Sequence, residues 1–178
     1  MPEERLHYRP HWDDYFMAVV KIVAARGTCD RLYAGAVLVK DNRIIATGYN
    51  GSPPGMLHCN DVGHLLEDGH CVRTIHAEHN AILQAARQGG TSTVGAVMYA
   101  KYSPCIHCAK YIIASGITKV VVGKVYRNSQ AVDMLKSGGV KVEIYQENPE
   151  WHDELLQLFS EDIPERTNEG TITMNVKK

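Results

Sequence analysis

Two short segments hold the residues best equipped for chemistry: His76-Ala77-Glu78 and Pro104-Cys105-Ile106-His107-Cys108. Together they offer one imidazole, two thiolates and a free carboxylate, a ligand set for zinc with a proton carrier beside it. A catalytic zinc keeps three protein ligands and a water in its fourth position, lowering the pKa of that water from about 15.7 toward about 7. Glu78, two residues after the imidazole, can carry a proton from that water to a substrate nitrogen and later to the departing group. The set predicts hydrolysis, with His76, Cys105 and Cys108 as ligands and Glu78 as the acid–base residue.

Each half also has a blander reading. A C-x-x-C beside a βαβ pattern suits a thioredoxin-like redox pair, and a lone His-x-Glu occurs by chance. Their co-occurrence, their order and the proline before the first cysteine favour the metal. His79, one helical turn past His76, and His107, between the cysteines, read as neighbouring or surface histidines.

Both halves sit where helices should begin. Residues 77–88 are rich in Ala, Leu and Gln, repeat apolar residues at helical spacing and stop at Gly89-Gly90. The second half offers Ser103 as N-cap, Pro104 in the first turn, a helix over 105–115 and Gly116 as its stop. Helix N-termini carry partial positive charge, which favours the thiolate that zinc requires.

The rest of the chain supplies a frame for these helices. His11–Arg26 spaces Trp12, Tyr15, Phe16, Val19, Val20 and Val23 as an amphipathic helix ending at Gly27. Ala34–Lys40 and Arg43–Tyr49 flank Asp41-Asn42 as a hairpin. Further strands are predicted over 96–101, 119–123 and 140–145, with a helix over 130–136 capped by Ser129. The order αββαβαβαβ implies parallel pairing of the last three strands, and hence an α/β fold, a three-layer α/β/α sandwich on a five-stranded mixed sheet. A catalytic domain is expected over 1–147. Residues 148–178 form an extension, with a helix over 148–159 and a polar tail from Ser160.

Composition narrows the function classes. The chain has 178 residues, 44% hydrophobic and 22% charged, with net charge −1, ordinary for a soluble globular domain. No apolar run approaches the ~20 residues that cross a bilayer, and Met1-Pro2-Glu3-Glu4-Arg5 opens nothing like a signal peptide, so no membrane partner and a cytoplasmic location are expected. The five cysteines suit metal binding in a reducing compartment. No Lys/Arg block marks a nucleic-acid surface, which favours a small substrate.

Between Asn50 and His76 lies a long insertion of turn formers holding Cys59, Cys71, His58, His64 and His70. Such a loop is commonly functional or disordered. With Cys29 it contains enough soft donors for a closed structural zinc, for which Cys29, Cys59, His70 and Cys71 are the predicted ligands. Adjacent ligands such as His70 and Cys71 strain one tetrahedron, and His64 is the substitute. The alternative is a set of free thiols and exposed histidines.

These residues together resemble the deoxycytidylate (dCMP) deaminases of the cytidine deaminase superfamily, phage and bacterial members in particular. The resemblance runs from about Thr28 to Tyr145. It rests on Ala34-Gly35-Ala36-Val37, Gly48-Tyr49-Asn50-Gly51-Ser52-Pro53, the run from His70 to Glu78, and Ser103-Pro104-Cys105-Ile106-His107-Cys108. H-x-E with P-C-x-x-C is the signature of zinc nucleobase deaminases, while Gly-Tyr-Asn-Gly belongs to the dCMP branch. The resemblance implies hydrolysis of dCMP to dUMP and ammonia, supplying thymidylate synthesis. It also implies a homohexamer, activation by dCTP, and inhibition by dTTP with Mg2+. Asn50 would hydrogen-bond the sugar or base, the backbone about Ala77 and Ser103 would position the base, and the loop from Gly48 through Tyr49, Asn50 and Gly51 to Gly55 would serve the nucleotide effector site. A second zinc in the family supports Cys29 and Cys59 as ligands, and Arg87 matches a position of subunit contact. Thr74 replaces a carboxylate that some relatives use as a ligand of that second metal, so its coordination here must differ. Lys101-Tyr102 departs from a common Thr, and Arg31, Lys101 and Arg127 are candidates for the substrate phosphate. The extension from Trp151 has no family counterpart. Rival readings are a tRNA-adenosine or free-nucleoside deaminase, and a non-catalytic zinc-binding or competence-associated protein.

Overall fold

Strand β1 (Gly35–Lys40) turns back into β2 (Arg43–Tyr49) through Asp41 and Asn42, whose φ angles are 51° and 56°. Positive φ at both central residues is the type I′ hairpin turn, whose twist matches its strands, and Asp and Asn tolerate that region. The structure, a computed structural model, describes residues 9–89, 91–126 and 130–158. The predicted cap Ser129, the phosphate candidate Arg127 and the tail from 159 onward lie outside the described residues.

β1 also pairs antiparallel with β5 (Val97–Tyr102). β6 (Lys119–Lys124) and β7 (Lys141–Ile144) then add in parallel, giving the order β2-β1-β5-β6-β7. The five-stranded mixed sheet is the predicted one. Helix α1 (Trp12–Ala24) covers one face, while α3 (Ala77–Gln88), α4 (Ile106–Ala114) and α5 (Gln130–Ser137) cover the other. Strand alternation sorts the side chains between these layers. Val37, Val39, Tyr99 and Val121 meet Phe16, Met17 and Val20 of α1. Ala36, Leu38, Met98, Val120 and Val122 meet the other three helices. Two short bonds fix the first turn of α1 to the sheet: the Tyr99 hydroxyl donates to Asp13 and the Tyr145 hydroxyl to Asp14, each at 2.6 Å.

The insertion has more structure than a loop. It contains α2 (Cys59–Val62) and a small hairpin of β3 (Leu66–Glu67) and β4 (His70–Cys71). Residues Arg9–Gln146 make one compact unit. Beyond it, α6 (Pro149–Leu158) opens with proline in its first turn, and Asn148 Oδ1 accepts the Glu150 N–H at 3.1 Å. Among the described residues, no helix is long and apolar enough to cross a membrane.

One packing detail sets the depth of α3. Its inner face is Ala77, Ala81 and Ala85, all buried, and it lies against β2 at Gly48. A Cβ at Gly48 would stand 2.2 Å from the Ala77 carbonyl oxygen and 2.3 Å from the Ala81 nitrogen. Asn80 Nδ2 donates to the Tyr49 carbonyl at 2.9 Å and fixes the helix along the strand. Gly48→Ala is therefore expected to overpack this seam and lower unfolding free energy by about 1–3 kcal/mol in urea titration. A loss below about 0.5 kcal/mol, typical of surface substitutions, would contradict the close approach.

Candidate metal centre and active site

His76 is the N-cap residue of α3 and Cys105 the N-cap residue of α4. This corrects the expected start of the second helix: Ser103 is not its cap, and Ile106 is its first residue. Both N-cap side chains make no capping hydrogen bond and both have extended backbone, with ψ of 152° and 170°. A cap residue points its side chain back across the helix mouth. Here the two mouths face each other, and the side chains meet instead of closing their own helices.

The His76 Nδ1 lies 3.4 Å from Cys105 Sγ and 3.6 Å from Cys108 Sγ. A tetrahedral zinc with bonds of about 2.3 Å to sulfur and about 2.0 Å to nitrogen spaces its donors about 3.5–3.8 Å apart. The cluster therefore fits zinc in donor type and in spacing. It supplies three ligand atoms, and His76 lies on the exposed side while Cys108 is buried, so water and a small substrate can reach the remaining position.

Glu78 sits in the first turn of α3 and is buried, only 8% exposed. Burial pushes its carboxyl above the ordinary range, against a hydrogen bond from its own backbone N–H and the pull of His76. A carboxyl raised in this way holds a proton more readily than a free one, the direction that an acid–base residue needs. The two thiols are tightly coupled. A hydrogen bond from Cys108, reinforced by one from His76, holds Cys105 down to about 3, and the same contact pushes Cys108 up. Two sulfurs sharing one proton are a natural pair for a divalent cation, which would let both ionise.

Backbone pairing delivers these groups. Gly51 and Ile75 form an antiparallel bridge, Gly51 N–H to Ile75 O at 3.2 Å and Ile75 N–H to Gly51 O at 2.9 Å, which sets His76 at the helix mouth. Asn50, expected to contact the sugar or base, has its amide occupied by backbone. Its Oδ1 accepts the Ala34 N–H at 2.8 Å, and its Nδ2 donates to the Leu32 carbonyl at 2.7 Å. At 6% exposure it stitches the segment before β1 to the end of β2. Ser103 does similar work: its hydroxyl donates to Tyr126 O at 3.0 Å and accepts Tyr126 N–H at 2.7 Å, joining the approach to α4 to the end of β6. Ala77 opens α3, so its N–H has no acceptor within the helix. Within the expected effector loop, Gly48 and Tyr49 seat α3, and Gly51 bridges to Ile75.

A second cluster lies in the insertion. Cys29, Cys59, His64 and Cys71 bring their donor atoms within 4.8 Å of one another. Cys59 and Cys71 sulfurs are 3.5 Å apart, and Cys29 Sγ is 3.7 Å from His64 Nδ1, again the edge lengths of a zinc tetrahedron. His70 is outside this set, and His64 stands in its place. The reason is the strand: His70 and Cys71 are successive residues of β4, and successive side chains point to opposite faces. Burial pushes Cys59 up to about 12. For Cys71 burial also acts upward, but hydrogen bonds from the Arg73 backbone, Cys59 and His64 outweigh it and bring the thiol down to about 7.

The phosphate candidates separate. Arg31 donates to the Gly69 carbonyl at 2.8 Å and pins the β3–β4 turn. Lys101 follows Tyr99 by two on β5, hence on the α1 face, with its ammonium 5.5 Å from the Tyr102 ring centre. Burial and the charge of Lys21 lower its pKa. Asn80, which the sequence reading missed, could have been found only as a polar residue one turn beyond His76 in an otherwise alanine-lined helix.

The chain resembles several known proteins. ComE operon protein 2 of Bacillus subtilis is 48% identical over 136 residues, covering 76% of this chain and 71% of that protein. The deoxycytidylate deaminase of Schizosaccharomyces pombe is 36% identical over 147 residues, covering 78% of this chain but 45% of that protein, so this chain matches less than half of the yeast relative. The crystal structure of the dCMP deaminase from cyanophage S-TIM5, in complex with dCMP and dUMP, superposes with a TM-score of 0.69 at 32% identity, covering 78% of this chain and all (100%) of that one. The sequence pattern of the cytidine and deoxycytidylate deaminase zinc-binding region matches residues 10–124, which span α1 through β6 and both halves of the metal cluster. The chain belongs to the cytidine and deoxycytidylate deaminase family.

Proposed function

We propose that this chain is a zinc-dependent hydrolase that converts dCMP and water to dUMP and ammonia. The observation that carries the reading is the three-donor cluster of His76, Cys105 and Cys108 with the buried carboxyl of Glu78 two residues from its imidazole. The nucleotide substrate is supported by the S-TIM5 relative, whose structure holds dCMP and dUMP, and by the relatives named deoxycytidylate deaminase.

When bound, zinc supplies the Lewis acidity that brings a water toward ionisation at neutral pH. His76, Cys105 and Cys108 would hold it. Glu78 would take one proton of the attacking water and pass it to the ring nitrogen beside the amino-bearing carbon; it would then take the second proton from the hydroxyl added to that carbon and give it to the amino group, which leaves as ammonia as the C–N bond breaks and the carbonyl forms. The partial positive charge of two converging helix N-termini steadies the thiolates and the anionic Glu78. The rival reading, a zinc protein without turnover, is disfavoured by the same geometry: a structural zinc takes four protein ligands and needs no buried carboxyl beside it.

The finer expectations belong to this proposal. The second cluster is a closed structural zinc site, supported by four donors within 4.8 Å of one another, two of whose pairs stand 3.5 and 3.7 Å apart. A homohexamer, activation by dCTP and inhibition by dTTP with Mg2+ rest on the family resemblance, and a cytoplasmic location on five cysteines suited to metal binding in a reducing compartment. Asn50, Ala77 and Ser103 shape the substrate pocket through the backbone that they position.

Glu78→Gln should retain zinc and fold but lose about 10²–10⁴-fold in kcat on dCMP; turnover at the wild-type rate would remove Glu78 from the mechanism. Zinc analysis of purified wild type should return two equivalents per chain. Cys29→Ser should return one with deaminase activity retained, whereas Cys105→Ala should lose the other together with activity. A Cys105→Ala protein that keeps both zincs and full turnover would refute the ligand assignment.

A further inference from the structure

Asp30 follows Cys29 directly, and its Oδ1 lies 3.2 Å from His64 Nε2. On the other side of the same ring, Nδ1 faces Cys29 Sγ at 3.7 Å. The other three donors of this cluster are placed by regular structure or backbone bonds. Cys59 is the first residue of α2, Cys71 lies on β4, and the Cys29 carbonyl accepts the Leu32 N–H at 3.3 Å. His64 lies between α2 and β3, after Gly63 with its φ of 78°, outside any helix or strand. Backbone bonds hold both its neighbours, Gly63 N–H to Cys59 O and Val72 N–H to Leu65 O, each at 2.8 Å, so what remains to be fixed is the direction of its ring.

A neutral imidazole carries one hydrogen, on either nitrogen. A carboxylate this close to Nε2, here a charge contact in which the Asp30 side chain is itself largely exposed, favours the hydrogen there and the Nδ1 lone pair toward the Cys29 sulfur. We propose that Asp30 is a positioning residue for the second metal centre, accepting the His64 Nε2–H and so fixing the tautomer and ring orientation that make Nδ1 the fourth ligand. The inference rests on reading Cys29, Cys59, His64 and Cys71 as a zinc site. It gives the run Cys29-Asp30-Arg31 three successive tasks toward the insertion: a ligand, a tether for the histidine, and, through the Arg31 bond to Gly69 O, a pin on the hairpin turn. It also explains how a histidine without a regular backbone can complete the cluster while His70, on a strand, cannot.

The test is competition between the full chain and a chromophoric zinc chelator, comparing wild type, Asp30→Ala and Asp30→Asn, with His64→Cys as a second background. In Asp30→Ala the second zinc should bind about 10–100-fold more weakly, the cost typical of losing an outer partner of a ligand histidine. The first zinc and the kcat on dCMP should be unchanged. Asp30→Asn should recover part of the loss, because its side-chain carbonyl accepts the same N–H. In the His64→Cys background, where a thiolate replaces the imidazole, Asp30→Ala should have no further effect; a merely structural role would weaken zinc in both backgrounds. Wild-type zinc affinity in Asp30→Ala, or equal losses in both backgrounds, would overturn the role of Asp30. A wild-type chain holding only one zinc would instead overturn the second centre itself, and this inference with it.

Discussion

The absence of any side chain between α3 and β2 at Gly48 is the constraint on which the site depends. Because the Ala77 carbonyl and the Ala81 backbone lie where a Cβ would be, α3 sits as deep on the sheet as a helix can. Ala77, Ala81 and Ala85 add only methyl groups to the seam. That depth places His76 at the height of Cys105, and it buries Glu78 in the first turn. A helix held a side chain further out would carry both residues away from the α4 mouth. The metal geometry is thus a consequence of glycine and alanine packing that begins one residue past the ligand His76.

Given that placement, the two helix mouths act as one electrostatic site. Each N-terminus has unpaired N–H groups and partial positive charge, and each has a cap residue whose side chain is free of capping duty. Two coupled sulfurs, an imidazole and a carboxyl held above its usual range meet where water can enter from the His76 side. The second cluster ends a short way upstream of this arrangement. Cys71 lies four residues before Ile75, whose bridge to Gly51 leads straight into His76.

The legible part of this molecule was local. His76, Glu78, Cys105 and Cys108 could be read because donor types, order and spacing are short-range, and the Asp41-Asn42 hairpin because its turn chemistry is confined to two residues. The start of α4 was misplaced because Ser103-Pro104 has the residue types of a cap, while the tertiary bond between Ser103 and Tyr126 engages its hydroxyl elsewhere. The choice of His64 over His70 needed knowledge that residues 70–71 form a strand, whose alternation only pairing with Leu66 and Glu67 reveals. Asn50 carries a polar side chain beside a family motif. Only the fold shows both ends of its amide engaged with the backbone of Leu32 and Ala34.

The central claim is that the His76, Cys105, Cys108 and Glu78 site deaminates a nucleotide rather than a free nucleoside or a tRNA. The most direct measurement follows ultraviolet absorbance and ammonia release from the purified, zinc-loaded chain with dCMP, CMP, deoxycytidine and tRNA in parallel. The account predicts stoichiometric dUMP and ammonia from dCMP, with kcat/KM well above that for the other three. Turnover of deoxycytidine or tRNA in preference to dCMP, or no ammonia from any of them, would contradict it.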